Sequence, residues 1–374
     1  MLSFSLSCAA AHDTPSPMNV LMIAVDDLRN AGAAFGDPSV RMPNLDKLAL
    51  RSVAFREAFV QAATCGVSRT SLLTGRRPDT TKVLGNGGCP FTNDPNHKDW
   101  QSIPQYFRLA GYTTAGFGKV FHPGVCDGAD AGEQRAAWSE TYFHAPCVSL
   151  GSIYNGTCYE NNTGGTPHLP ASAAGKVTSH YANGTLDAAE AMPDTMILER
   201  AVARIKELAG ARAAASPFFL AVGFHKPHLP HIAPKEFFDL YPLDSIELPD
   251  DASLAAPQNA PKVVWNECGE FMSYHDVKMY FGQSRFNRDT PIANQTYLRM
   301  QRQAYYAAAS YADDNIGKLL AALDASGFAN NTVVALWGDH GWHLGENNEW
   351  AKHTAMTWAN RAPLLFAVPG LTTA

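Results

Sequence analysis

Cys65-Gly-Val67-Ser68-Arg69, closed by Leu73-Thr74-Gly75-Arg76, sets a thiol just ahead of a predicted short helix. Ser68 and Arg69 fall in its first turn and Gly75 at its end. A helix N-terminus offers unpaired N–H groups and the positive end of a dipole, a setting that suits an oxyanion. The same field is expected to lower a thiol pKa. Two further clusters carry charge, Asp26-Asp27 and Asp339-His340. Three carboxylates with few soft ligands suit a hard divalent cation, Ca²⁺ or Mg²⁺. His340 would then be an auxiliary ligand or a nearby proton-transfer group. Each feature alone has a plainer reading. A cysteine is commonly buried, and an Asp-Asp pair more often makes a turn or a cap. Their shared placement argues for chemistry.

That placement comes from the predicted elements. Asn19–Val25 is a continuous apolar run and reads as a central parallel strand, ending at Asp26. Val333–Trp337 is a second, ending just before Asp339. Ser102 caps a short helix that Gly111 closes, and residues 112–117 read as a strand. Asp194 is expected to cap a helix from Thr195 to about Leu208, followed by a strand over 217–223. Residues 298–326 read as a long helix and 362–370 contain a last strand. Residues 123–193 and 242–291 read as long irregular regions. The alternation predicts an α/β fold: a doubly wound, mixed, mostly parallel sheet with helices on both faces. In such sheets ligands gather at the carboxyl ends of the strands, where both acidic clusters lie.

Composition narrows the class. The 374 residues are 46% apolar, enough for a large core, and the formal net charge of −6 gives no signal for nucleic acid. No run of about 18 apolar residues is present to span a membrane. Residues 1–17 are expected to be a signal-peptide remnant or a disordered leader, and 18–374 one catalytic domain. Five Asn-x-Thr sequons, at Asn155, Asn161, Asn183, Asn294 and Asn330, favour a secretory route. The seven cysteines form no zinc pattern, and Cys147 with Cys158 flank a Gly- and Asn-rich loop that a disulfide would close. His225, His228 and His231 sit three apart, but Pro227 and Pro230 forbid the helix that would align them as zinc ligands. His343 reads as an exposed loop residue. Arg76 and Arg77 read as charge complement at a helix C-terminus or as substrate contacts, and Trp337 and Trp342 as core or sugar-facing rings.

Several motifs occur together in one order: Asp26-Asp27, Cys65-x-x-Ser-Arg69, Gly118-Lys119-Val-Phe-His122-Pro, Gly223-Phe-His225-Lys-Pro-His228, Asp339-His340-Gly-Trp-x-Leu-Gly-Glu and Glu349-Trp-Ala-Lys352. The set resembles the type I sulfatases of the alkaline phosphatase superfamily, and within them the iduronate-2-sulfatase branch, across residues 18–374. The resemblance implies a sulfuric ester hydrolase acting on 2-O-sulfated uronic acid units of glycosaminoglycan-like polysaccharides. It implies that a formylglycine-generating enzyme converts Cys65 into the catalytic aldehyde. Asp26, Asp27, Asp339, His340 and the modified Cys65 would hold one Ca²⁺. Arg69 and Lys119 would stabilise the formylglycine hydrate, and His122 would act as the base that releases sulfate. His225 and Lys352 would contact the sulfate and assist the departing oxygen. The destination would be the lysosome or the extracellular space. The family's C-terminal subdomain is expected to be missing from this chain. One position departs: Val67 stands where the maturation signature has Pro or Ala, and a β-branched residue there is expected to slow conversion. Two other readings share the motifs, a phosphate or phosphonate ester hydrolase and an inactive homologue that only binds sulfated glycan.

Overall fold

The structure, a computed structural model, describes residues 17–87, 100–122, 136–145, 180–183, 192–211, 216–250, 259, 261–266, 270–274, 277 and 294–372. Cys8, Cys89, Cys126, Cys147, Cys158 and Cys268, the sequons at Asn155 and Asn161, and almost all of the expected leader lie outside these residues.

The principal sheet has six strands: β1 (Asn19–Val25), β2 (Val53–Phe55), β3 (Thr113–Gly118), β5 (Phe218–Phe224), β7 (Thr332–Gly338) and β10 (Leu364–Ala367). The order is β2-β10-β7-β1-β5-β3. The four strands β7, β1, β5 and β3 run parallel, and β10 is antiparallel to both β7 and β2. This is the expected mixed, mostly parallel sheet. Two small two-stranded sheets, β4 (His180–Asn183) with β6 (His231–Pro234) and β8 (His343–Leu344) with β9 (Trp350–Ala351), flank it.

Side chains of β1 alternate between two cores, as a twofold strand period requires. Leu21, Ile23 and Val25 join a core with α4 (Pro193–Gly210) and α5 (Gln295–Ala325). Met22 and Ala24 face α2 (Cys65–Thr74) and α3 (Ile103–Leu109), which supply Leu73, Ile103 and Phe107. Helices therefore cover both faces. Local signals account for most helix ends. Ser102 caps α3 by accepting from the Gln105 N–H at 3.3 Å. Gly75 ends α2 in the left-handed conformation with φ 65°. The Asn294 side chain caps α5. Asp194 does not cap α4. The cap position is Met192, Pro193 opens the helix, and the Asp194 carboxylate points instead to the loop after β5.

Register brings four strand ends to within one residue of one another. Val25 of β1 pairs with Phe224 of β5 and with Gly338 of β7, while Gly118 of β3 pairs with Gly223 of β5. The next residues on each strand are Asp26, His225, Asp339 and Lys119. The β3–β5 junction is close. A Cβ on Gly223 would lie 2.0 Å from the Lys119 carbonyl oxygen, and Gly118 has φ +73°. Gly223→Ala is therefore expected to cost about 3 kcal/mol of unfolding free energy, read from denaturant melts, because backbone must move to admit the methyl group.

Candidate active site

The four strand ends and the first turn of α2 converge on one buried cluster. Asp26, Asp27, Asp339 and His340 are each 0% exposed, and Cys65 and Arg69 are 1% exposed. Cys65 is the first residue of α2 and faces the carboxylates. Its Sγ lies 3.2 Å from His340 Nε2, 3.3 Å from Lys352 Nζ and 3.8 Å from Asp27 Oδ1. His340 Nδ1 lies 3.0 Å from the Gly341 carbonyl. Donation to that carbonyl makes Nε2 the lone-pair nitrogen, the tautomer a metal ligand needs.

Arg69 is the organiser of the carboxylates. Its Nε donates to Asp339 Oδ2 at 2.9 Å and Nη2 to Asp26 Oδ1 at 3.1 Å. Nη1 donates to the carbonyls of Lys119 and Val120. The backbone N–H of Asp27 donates to the other oxygen of Asp339 at 2.9 Å. Lys119 Nζ donates to Asp26 Oδ2, and Lys352 Nζ donates to Asp27 Oδ1 at 2.9 Å. Burial pushes Asp26 up, but Lys119, His228 and Arg69 outweigh it and hold its carboxyl well below the usual range. Burial pushes Asp27 well above that range. Lys352 opposes this, and the charges of Asp26, Asp339 and Glu270 add to it. Burial also pushes the Cys65 thiol up, with Lys119 and Lys352 opposing. The expectation that the helix field would lower this thiol is corrected: desolvation of a fully enclosed sulfur dominates the dipole.

His122 is 6% exposed, and burial together with the Lys119 charge lowers its pKa to about 3. His225 Nδ1 lies 3.1 Å from Asp194 Oδ1, and its Nε2 is buried without a hydrogen-bond partner among the described residues. All the residues singled out for chemistry in the sequence are thus buried on the carboxyl side of the sheet. One neighbour, Glu270, carries no signal in the sequence, and another, His228, is placed differently from the zinc spacing considered above. Glu270 stands 3.1 Å from Lys352 Nζ and 3.2 Å from His228 Nε2. It lies in a stretch that reads as irregular, so no pattern marked it. His228 also comes within metal-ligand reach of Asp26, Asp27 and Cys65. The three histidines form no shared zinc site among the described residues, since His231 Nδ1 pairs with the Pro227 carbonyl at 2.8 Å.

Other weak signals resolve into structure. His343 is fully buried and not an exposed loop residue, because Nε2 bonds Thr354 Oγ1 at 2.8 Å. Trp337 and Trp342 are core rings, 2% and 1% exposed. Arg76 stacks over Trp100, and Arg77 pairs with Asp79 in solvent.

The donor set fits a hard divalent cation. The ligand atoms of Asp27, Cys65, Asp339 and His340 lie within 4.8 Å of one another. Four carboxylates around the cluster, Glu270 included, face three fixed cations, Arg69, Lys119 and Lys352. One negative charge remains, and one divalent ion would turn the site positive.

The family profile named Sulfatase matches residues 18–374. The chain belongs to the sulfatase family. It is 39% identical to the iduronate 2-sulfatase of Homo sapiens over 97% of this chain and 62% of that protein. The chain thus spans less than two thirds of that relative's length. Among solved structures, the phosphonate monoester hydrolase of Agrobacterium radiobacter superposes with TM-score 0.67 at 20% identity, covering 95% of this chain and 69% of that one. A 2-O GAG sulfatase superposes with TM-score 0.64 at 20% identity, covering 96% and 66%. Both show this sulfatase chain's fold.

Two predictions follow from the charges. Arg69→Met leaves Asp26 and Asp339 buried without their shared cation, and should lower unfolding free energy by about 3–5 kcal/mol in denaturant titrations. Outside the cluster, Arg29 Nη1 donates to Glu346 Oε1 at 2.8 Å and ties the loop after β1 to the loop after β7. Burial works against the Glu346 carboxylate, but Arg29 and Arg302 prevail and lower its pKa from 4.5 to about 2. A carboxyl depressed in the folded state stabilises fully above its unfolded value and loses that effect as pH falls toward the folded one. Glu346→Gln should therefore show a flatter decline of stability between pH 5 and 3 than the parent, in melts at stepped pH.

Proposed function

We propose that this chain is the catalytic part of a sulfuric ester hydrolase that releases sulfate from 2-O-sulfated uronic acid units of glycosaminoglycan-like polysaccharides. The observation that carries this reading is the cluster itself: a helix-start cysteine enclosed by three carboxylates, an imidazole and two lysines. The substrate class rests on the 39% identity to human iduronate 2-sulfatase. The reading includes formylglycine at position 65, made by a formylglycine-generating enzyme, and one Ca²⁺ held by Asp26, Asp27, Asp339, His340 and the modified residue. Together these groups supply an acidic hydroxyl as the nucleophile at sulfur.

The chain's own residues then divide the remaining work. Arg69 holds Asp26 and Asp339 in the ligand geometry and adds positive charge beside position 65. With Asp26 and Asp27 engaged by a cation, the ammonium groups of Lys119 and Lys352 would be available to the sulfate oxygens. His122, kept neutral by burial and the nearby lysine charge, accepts a proton as sulfate leaves. His225 and Lys352 face the departing sugar oxygen. Asn294 and Asn330 are exposed, and their sequons are open to glycosylation in a secretory route to the lysosome or the extracellular space.

Peptide mass spectrometry of protein from a host with the maturation enzyme should show Cys65 as the aldehyde despite Val67. Sulfate release from a 2-O-sulfated uronate disaccharide should be lost in Cys65→Ala and Asp339→Asn, with thermal melts showing folded protein. An unmodified thiol in active protein overturns the formylglycine reading. Faster turnover of an aryl phosphate or phosphonate than of the aryl sulfate overturns the substrate reading.

A further inference from the structure

The carboxylate of Asp194 is 2% exposed and lies 31 residues before the loop that it serves. It accepts three N–H groups from that loop. The His225 backbone N–H donates to Oδ1 at 2.8 Å, the Lys226 backbone N–H to Oδ2 at 2.8 Å, and His225 Nδ1 stands 3.1 Å from Oδ1. Two of these bonds fix the backbone from which the imidazole projects, and the third fixes the ring. The far side of the loop is held as well, since Lys226 Nζ donates to the carbonyls of His228 at 3.0 Å and Pro230 at 2.6 Å. None of the three bonds goes to the first turn of Asp194's own helix, so capping does not explain the residue.

A carboxylate accepts only, so the ring nitrogen facing it carries the hydrogen. Nδ1–H is then fixed in both the charged and the neutral ring, and Nε2 is the atom whose proton comes and goes. That nitrogen is buried and has no hydrogen-bond partner among the described residues. A buried polar atom left open is costly unless something fills it. The β1–β5 register sets the backbone of residue 225 beside Asp26, because Asp26 N–H donates to the Phe224 carbonyl at 3.1 Å and His225 is the next residue.

We propose that Asp194 is the positioning residue for His225, holding the ring so that Nε2 hands its proton to the departing sugar oxygen. The proposal rests on the sulfuric ester hydrolase reading above. In the step, the attacking hydroxyl, having released its proton to solvent, bonds to sulfur through its oxygen, and the ester S–O bond breaks, its electron pair leaving on the sugar oxygen. That oxygen takes the proton from Nε2, and the ring is left neutral with Nδ1–H on Asp194. Water returns the proton to Nε2 before the next turnover.

The test compares leaving groups in protein carrying formylglycine. 4-Nitrophenolate departs without a proton, whereas a sugar alkoxide needs one. General acid assistance contributes roughly 10²–10⁴-fold. Asp194→Asn should therefore lower kcat on a 2-O-sulfated uronate disaccharide by about 100-fold or more, and by at least about 30 times less on 4-nitrophenyl sulfate. Asp194→Glu should recover part of the loss. Equal losses on the two esters overturn the proposal and leave Asp194 a structural residue. A second arm does not depend on turnover or on the Asp194 variants folding. Long-range proton–nitrogen NMR of the parent protein, with His225 assigned through His225→Gln, should show the hydrogen on Nδ1. A neutral ring protonated at Nε2 overturns the proposal whatever the activities. If the parent releases sulfate from neither ester, the functional reading falls while the ring measurement still decides the Asp194–His225 contact.

Discussion

Arg69 is 1% exposed and its guanidinium joins Asp26 after β1 to Asp339 after β7. Three things meet in that contact. It sets one positive charge between two carboxylates that burial would otherwise make untenable beside each other. It fixes the spacing of two strand ends that belong to residues 313 positions apart in sequence. It also anchors α2, because Arg69 lies one turn after Cys65 and the helix cannot rotate without breaking the pair. The planar fork matters here, since Nε and Nη2 reach different carboxylates while Nη1 takes two backbone carbonyls. A lysine would supply the charge and lose the geometry.

The sheet supplies the frame that this contact locks. Parallel strands leave their carboxyl ends on one side, and the register sets Asp26, His225 and Asp339 in a row with Lys119 one residue back. Loops alone would not hold such a row to the tolerance that catalysis needs. Here each strand end is tied. Tyr305 from α5 donates to the Asp27 carbonyl and accepts from the Arg29 N–H, which steadies the left-handed Asp27 at φ 57°. Arg29 in turn reaches Glu346. The β3 and β5 ends touch so closely that only glycine fits at 223. The long helix α5, on one face of the sheet, therefore shapes chemistry at an end of the sheet that its own side chains mostly do not enter.

Much of this was legible in the sequence, for identifiable reasons. Central strands such as β1 are apolar throughout, so their ends could be found, and the acidic pairs stood at those ends. Ser102 and Gly75 carry local signals that the structure obeys. The misreadings share one cause: what a side chain meets in the fold, and how deeply it is enclosed, is not written in its immediate neighbours. Asp194 has the pattern of a helix cap, but its carboxylate answers to N–H groups at 225 and 226. His343 has the pattern of a loop histidine and is buried on Thr354. Glu270 sits in a patternless stretch, and only folding brings it to Lys352. The Cys65 thiol was misjudged because sequence gives the helix start but not the depth of burial.

That depth bears on what position 65 can do. Helix N–H groups and two ammonium groups favour an anionic sulfur, while full burial and the Asp26 and Asp339 charges oppose it, and the second set wins. An unmodified Cys65 is thus held as a neutral thiol by the protein's own groups, a weak nucleophile beside a Lys119 directed at Asp26 and a Lys352 shared between Asp27 and the sulfur. The surroundings suit a different occupant. A small oxygen-bearing group at 65 would stand among hard ligands, with Lys352 3.3 Å from the present sulfur and His340 at 3.2 Å. Hard donors and a divalent cation stabilise an oxygen anion far better than a desolvated sulfur. The electrostatics of the pocket therefore suit an oxygen-bearing group at position 65 better than the thiol that the chain encodes.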